Sequence, residues 1–303
     1  MKPLLFSLHA ADGLRQSILA NAALEEGVIT HRRFPDGESY VRLDTPVSDR
    51  DVVLLCSLDN PDVRLMTLLL AADAARQQGA RQVGLIAPYL AYMRQDQAFS
   101  DGEAVSAKSF ASILSRHFDW LVTLEPHLHR IANLADLFCI PARAAPASGP
   151  IAKWIEAHVV SPYLIGPDSE SAPWIKRIAT RIGAPFAVFE KQRLGDREVR
   201  ISGSVEGLLP EMTPVIVDDI VSSGGTMAKV IERAARDAGK PAIYIAVHVL
   251  AKQPPNSVRN SRAFARLISC NSVAHPSNAI DIAAPLLAEA QELIARASAR
   301  KVP

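Results

Sequence analysis

The sequence predicts an α/β protein built from mainly parallel sheets flanked by helices and divided into two domains. Three observations carry that expectation. Short apolar, β-branched runs alternate with longer amphipathic stretches, the cadence of strand–helix–strand units. At 303 residues the chain exceeds the usual size of one domain. Residues 141–150 (Pro-Ala-Arg-Ala-Ala-Pro-Ala-Ser-Gly-Pro) fall near the midpoint, rich in proline and small residues and without period, which marks them as a linker. The expected domains are residues 1–145 and 146–303.

Strands are expected over residues 51–56, 82–87, 120–124, 163–166, 186–189, 215–217, 242–250 and 265–269. Helices are expected over 63–78, 105–118, 172–182, 227–238 and 282–295. The helix at 227–238 shows the reasoning. Val230, Ile231, Ala234 and Ala238 recur at three- and four-residue spacing, and Lys229, Glu232, Arg233 and Arg236 fall mostly on the other side. Gly239 then stands where a helix stop belongs.

Polar patches sit between these elements. Arg33-Phe34-Pro35-Asp36-Gly37-Glu38 reads as a turn, punctuated by Pro35 and Gly37; Phe34 could also stack on a flat base, with Asp36 and Glu38 accepting from an exocyclic amine. Residues 88–103 form a connection longer than the usual ~4–6 residues, of the kind that holds ligands at strand ends in open α/β sheets. Within it Arg94 can grip phosphate oxygens or pair with Asp96 on the surface. Glu125-Pro126-His127-Leu128-His129-Arg130 offers an imidazole and a carboxylate. That set is poor for zinc, which wants four N or S ligands. It suits magnesium better, because magnesium keeps waters and substrate phosphates.

In the second half, Asp168 can ligand a cation or cap the helix that follows. Residues 190–199 are dense in charge around Gly195: either a solvated hairpin tip or a lid that brings Lys191 and Arg193 onto a polyphosphate. Residues 215–226 are the most informative. An apolar run reaches two adjacent acids, Asp218 and Asp219, then Ser222-Ser223-Gly224-Gly225-Thr226, then a helix. Backbone N–H groups at the glycines, the hydroxyls and the helix N-terminus together suit a phosphate. The dipole contributes only about 0.3–1 kcal/mol at an exposed helix end, so directed hydrogen bonds must supply most of the grip. The acids would repel a phosphate and therefore face vicinal hydroxyls or a metal.

Composition narrows the class. Lys and Arg number 33 against 32 Asp and Glu, a net +1 that gives no electrostatic case for a nucleic-acid or membrane surface. Cys56, Cys139 and Cys270 lack metal-ligand spacing and are expected as buried, reduced thiols. The apolar run near the N-terminus is too short for a signal peptide, and no stretch approaches the ~20 apolar residues of a membrane span. A cytoplasmic protein is expected.

Residues 215–226 resemble the phosphoribosyl-pyrophosphate motif of type I phosphoribosyltransferases. The patches together, in order and approximate spacing from Phe34 to the C-terminal helix, resemble the ribose-phosphate pyrophosphokinase family. The resemblance implies two phosphoribosyltransferase-like domains and transfer of the diphosphoryl group of ATP to O1 of ribose 5-phosphate, with Mg²⁺. It implies that Phe34, Asp36 and Glu38 contact adenine across a subunit boundary, hence a homodimer or higher homo-oligomer. Arg94, Gln95 and Asp96 would bind ATP, and His127 and Asp168 the metal. Lys191 and Arg193 would act in catalysis. Asp218 and Asp219 would hold the ribose hydroxyls, and Ser222, Ser223, Gly224, Gly225 and Thr226 the 5-phosphate.

Ser222, Glu125-Pro126 and Ser169-Glu170 depart from the commoner pattern and bring the chain closer to the shorter archaeal-like branch. Inhibition by ADP, the phosphate requirement and hexameric assembly are therefore not carried over. Two other readings stay open: a phosphoribosyltransferase acting on a base, and a silent regulatory subunit. The patches of the first half weigh against the former; the presence of Lys191, Arg193, His127 and Asp168 weighs against the latter.

Overall fold

The computed structural model describes residues 1–21, 24–128, 130–131, 133–193, 199–202, 207–222, 224–253 and 256–300. In chain order the elements are β1 (Leu4–His9), α1 (Asp12–Asn21), β2 (Glu25–Glu26), β3 (Ile29–Arg33), β4 (Ser39–Leu43), β5 (Asp51–Cys56), α2 (Pro61–Gln77), β6 (Gln82–Ala87), α3 (Ser106–His117), β7 (Trp120–Leu124), β8 (Ala142–Ala145) and α4 (Ser148–His158). They continue with β9 (Pro162–Gly166), α5 (Ala172–Ile182), β10 (Phe186–Val188), β11 (Glu190–Arg193), β12 (Val199–Ser202), β13 (Thr213–Val221), α6 (Gly225–Ala238), β14 (Ala242–Val249), α7 (Asn256–Arg259), β15 (Phe264–Cys270), β16 (Asn278–Ile280) and α8 (Ala283–Arg300).

The chain forms two compact units. The first comprises residues 1–146, 272–274 and 282–303; the second comprises 147–271 and 275–281. The first is built on a parallel sheet in the order β2-β1-β5-β6-β7-β8. Every residue of β5 and β6 is buried, as expected of parallel strands covered on both faces. Close packing is explicit at Gly84, where a Cβ would overlap the indole of Trp120. That indole is 1% exposed and donates through Nε1 to Gln82 Oε1 at 3.0 Å. The second unit repeats the plan, again all parallel, in the order β10-β9-β13-β14-β15-β16. Each unit also carries a two-stranded antiparallel ribbon, β3–β4 in one and β11–β12 in the other. Both ribbons enter at the same point of the strand sequence.

Several expectations need correction. The stretch at 141–150 is not a linker: it supplies edge strand β8 and the first turn of α4. Pro150 is tolerated there because the first turn of a helix has no intrahelical partner for its N–H groups. The expected second domain ran to residue 303, but α8 packs on the first sheet, against β6, β7 and β8. Leu286, Leu287, Ala290 and Leu293 bury its apolar face, and Arg143 on β8 pairs with Glu289 (2.8 Å) and Glu292 (3.0 Å). Cys56 and Cys270 are buried and all three thiols are free, but Cys139 is exposed, because it lies in the loop ahead of an edge strand. The run Leu4–His9, central to the first sheet, was not expected as a strand.

Replacing Gly84 with alanine forces the Trp120 ring out of place. Overpacking of this kind costs about 1–3 kcal/mol, so Gly84→Ala lowers the urea midpoint, with tryptophan fluorescence reporting the same transition.

Candidate functional site

In the second unit, β13 continues through both acids to Val221 rather than stopping at 217. Asp218 pairs in register with Ala246 and Ile220 with His248. Asp218 and Asp219 are adjacent on the strand, and their carboxyl groups act directly on each other. Asp218 Oδ1 accepts the N–H of Asp219 (2.9 Å), and Asp219 Oδ1 accepts that of Ile220 (2.7 Å). Asp218 Oδ2 accepts the hydroxyl of Tyr244 on β14 at 2.5 Å. Tyr244 is fully buried and was missed from the sequence. The available signal was a phenol inside the apolar run of β14, since a buried Tyr hydroxyl needs a partner.

Burial, then the charge of Asp219, with a smaller push from Asp168, raises Asp218 well above the usual carboxylate range; the Tyr244 hydrogen bond opposes this. Burial and the charge of Asp218 likewise hold the Tyr244 phenol protonated far above its ordinary value. The carboxyl end of β13, an interior strand, is therefore a place where carboxyl groups crowd one another.

Ser222 follows, half-buried, while Ser223 lies outside the described residues. Gly224 has φ 75°, a left-handed conformation open to glycine at little cost. Helix α6 starts at Gly225, two residues before its expected start, and runs to a left-handed Gly239. An α-helix leaves its first N–H groups without intrahelical partners, and here those belong to the segment beginning Gly225-Thr226. Asp168 stands in the turn after β9 and accepts from the N–H of Ser171 at 3.3 Å; it caps the short 3-10 turn Ser169–Ser171 and not the helix α5 that follows, whose N-cap is Ser171. Gly166 must lack a side chain, because a Cβ there would overlap the Ser171 hydroxyl. Lys191 and Arg193 lie on β11, paired in register with Ile201 and Val199. The expected lid tip at 194–198 lies outside the described residues.

The first unit places its candidates on two features. One is the β3–β4 ribbon, whose turn is closed by Phe34 N–H to Glu38 O (2.8 Å) and Gly37 N–H to Phe34 O (2.9 Å), with Gly37 at φ 93°. Asp36 Oδ1 accepts the N–H of Glu38 at 3.2 Å. The Arg32 guanidinium lies 4.3 Å from the Phe34 ring centre and 4.8 Å from that of Tyr40, so one arginine covers both rings.

The other feature is the pair of loops leaving β6 and β7. Arg94 is exposed. Gln95 Oε1 accepts the Ser106 hydroxyl at 2.7 Å. Asp96 does not pair with Arg94: its carboxylate accepts from the guanidinium of Arg130 (3.0 Å) and from the N–H of Arg130 (3.2 Å). His127 is half-buried in the same loop as Arg130, and His129 lies outside the described residues. Tyr92 (φ 66°) and Glu125 (φ 32°) both hold positive φ, an uncommon state for non-glycine residues that clusters where ligands bind.

Among the described residues, no three His, Cys, Asp or Glu side chains form a group able to hold a metal by themselves. Within the second unit, the carboxylates that crowd one another at Asp218, Asp219 and Asp168 are oxygen donors of the kind that suits a cation keeping most of its waters. No helix among the described residues is long and apolar enough to cross a membrane.

Comparison with known proteins gives a consistent picture. Residues 3–117 match the N-terminal domain of ribose phosphate pyrophosphokinase, and residues 144–281 match the phosphoribosyl transferase domain. A ribose-phosphate pyrophosphokinase of Saccharolobus solfataricus is 34% identical over 246 residues, 80% of this chain and 83% of that one. One from Methanopyrus kandleri is 35% identical over 267 residues, 86% and 88% of the two chains. A crystal structure of phosphoribosylpyrophosphate synthetase from Mycobacterium smegmatis superposes with a TM-score of 0.81 at 26% identity, covering 97% of this chain and 99% of that one.

The crowded carboxylates give a stability prediction. An acid whose pKa rises on folding binds its proton more tightly in the folded state. Its ionisation therefore destabilises the fold above the unfolded pKa of about 3.9. Asp218→Asn should raise the thermal midpoint of the ligand-free protein at pH 7.5, and the gain should fade as pH falls towards about 4. Thermal melts of both proteins across that range measure it.

Proposed function

The chain belongs to the ribose-phosphate pyrophosphokinase family, and from that premise we propose how its residues carry out the reaction. It is an ATP-dependent diphosphotransferase that makes 5-phosphoribosyl 1-diphosphate and AMP from ATP and ribose 5-phosphate. The observation that carries the assignment of sites is the carboxyl end of β13, where two acids stand just ahead of a left-handed glycine and a helix N-terminus.

Asp218 and Asp219 accept from the ribose hydroxyls, and segment 222–226 holds the 5-phosphate on backbone N–H and hydroxyl groups. The acids thus meet donors and the phosphate meets donors, so neither faces a like charge. Phe34 stacks on adenine, with Asp36 and Glu38 nearby, contributed to a neighbouring copy of the chain in a homodimer or larger homo-oligomer. Arg94, Gln95 and Asp96 belong to the ATP site.

The anomeric hydroxyl attacks the β-phosphorus, the bond from that phosphorus to the α-phosphate bridging oxygen breaks, and AMP leaves with that oxygen. Positioning and charge neutralisation supply most of such catalysis. Lys191 and Arg193 bring positive charge to the transferring group, and closure around it excludes the water that would otherwise hydrolyse ATP. His127 and Asp168 would hold Mg²⁺, which when bound neutralises phosphate charge. These substrates are cytoplasmic metabolites, and we place the enzyme there.

Incubation with ATP, Mg²⁺ and ribose 5-phosphate should release AMP in step with 5-phosphoribosyl 1-diphosphate. No AMP at any phosphate concentration would sink the reading. Lys191→Ala should lower kcat by about 10²–10³-fold, as removal of an electrostatic stabiliser does, with ribose 5-phosphate affinity nearly unchanged. Equal loss of both would remove Lys191 from the catalytic role.

A further inference from the structure

Asp96 is hidden in a way that a nucleotide contact is not. Its side chain is 1% exposed, whereas its partner Arg130 is 52% exposed. One carboxylate oxygen takes the Arg130 guanidinium and the other takes the Arg130 backbone N–H. The guanidinium also lies 5.8 Å from the ring centre of Phe99, three residues beyond Asp96.

These contacts join two loops. One leaves β6 and carries Arg94 and Gln95; the other leaves β7 and carries Glu125 and His127. The strands are direct neighbours in register, Ala87 opposite Thr123. The first loop is anchored at its other points to its own surroundings. Tyr92 donates to Asp62 on α2, Gln95 accepts from Ser106 on α3, and the N–H of Phe99 donates to Glu103 (2.8 Å). Asp96 adds a polar tie to the second loop. The second loop begins at Glu125 with a positive φ, a conformation that persists only when its surroundings enforce it.

We propose that Asp96 and Arg130 form a clasp that sets the spacing between the nucleotide-binding loop and the loop of His127, so that Arg130 is a positioning residue for the diphosphoryl donor. The inference rests on the ATP site described above and changes the role of one of its members: Asp96 acts through Arg130 and does not touch the nucleotide. A carboxylate this buried is costly to leave without its cation, which fixes the loops relative to each other. The backbone N–H of residue 130 survives Arg130→Ala and Arg130→Lys, so removing the guanidinium loosens the clasp while Asp96 still accepts from that N–H.

The test is a double-mutant cycle with Arg130→Ala, Asp96→Ala and the combined variant, and Arg130→Lys as the conservative change. Arg130→Ala should raise the KM for MgATP about tenfold while the KM for ribose 5-phosphate stays within about twofold, and Arg130→Lys should recover part of the loss. The combined variant should be no worse than Asp96→Ala alone. Additive losses would mean that Asp96 meets the nucleotide directly, and an unchanged KM for MgATP would mean that the pair only decorates the surface; either overturns the proposal. A parallel loss for both substrates also overturns it, as the mark of general destabilisation.

Amide exchange supplies a readout independent of turnover. Residues 88–103 and 125–131 should gain exchange together in Arg130→Ala, and exchange confined to one loop refutes the clasp. Absence of AMP from the wild-type enzyme would defeat the assigned reaction and leave this exchange result to decide the clasp.

Discussion

Strand β13 must carry two adjacent like charges to the rim of a sheet whose interior is apolar. The parallel ladder with β14 fixes where those charges stand, and adjacency along the strand brings the two carboxyl groups against each other. The phenol of Tyr244 is what lets Asp218 remain there, since it places a donor against a carboxylate that burial and its neighbours push towards the protonated form. The arrangement is unfavourable for the empty protein and favourable for a ligand that brings hydroxyl donors and positive charge. Binding capacity is thus held as electrostatic stress in the free enzyme.

The two units solve the same topological problem with different chemistry. Both use one strand order and insert a ribbon at the same place. The counterpart of the β13–α6 loop in the first unit is the β5–α2 connection, Ser57-Leu58-Asp59-Asn60. It has no glycine, and it accepts from a guanidinium of its own chain: Arg64 donates to the Ser57 carbonyl at 2.7 Å and pairs with Asp59. Beside it His9 is driven down to about 4 by burial and by the charge of Arg64. A loop that satisfies itself in this way does not need an anion. The first unit has its candidate residues elsewhere, on the ribbon turn and on the loops after β6 and β7. The ribbon of the second unit carries Lys191 and Arg193 on its first strand, at the register positions where that of the first carries His31 and Arg33.

Elements with strong periodicity or continuous apolar runs were legible from the sequence: residues 51–56, 82–87, 120–124 and 172–182 are the bounds observed. The misses have physical causes. Residues 141–150 read as a linker because alanine and proline carry no pattern, yet an edge strand needs only one paired side and a first helical turn tolerates proline. Leu4–His9 became a central strand through long-range pairing with β5 that no local signal announces. Asp218 and Asp219 stand out in the sequence as adjacent acids after an apolar run, whereas Tyr244 lies 26 residues from Asp218 and meets it only across neighbouring strands.

By itself the sequence determined the layering of strands and helices and the order of its polar patches, the two acids and the Gly-rich segment ahead of a helix among them, because all of these follow from short-range order in the chain. Only the tertiary structure decided that α8 returns to the first sheet, that Tyr244 supports Asp218, and that Asp96 belongs to Arg130 and not to Arg94. Each of those depends on which distant segments become neighbours, and that is settled by packing and burial over the whole fold.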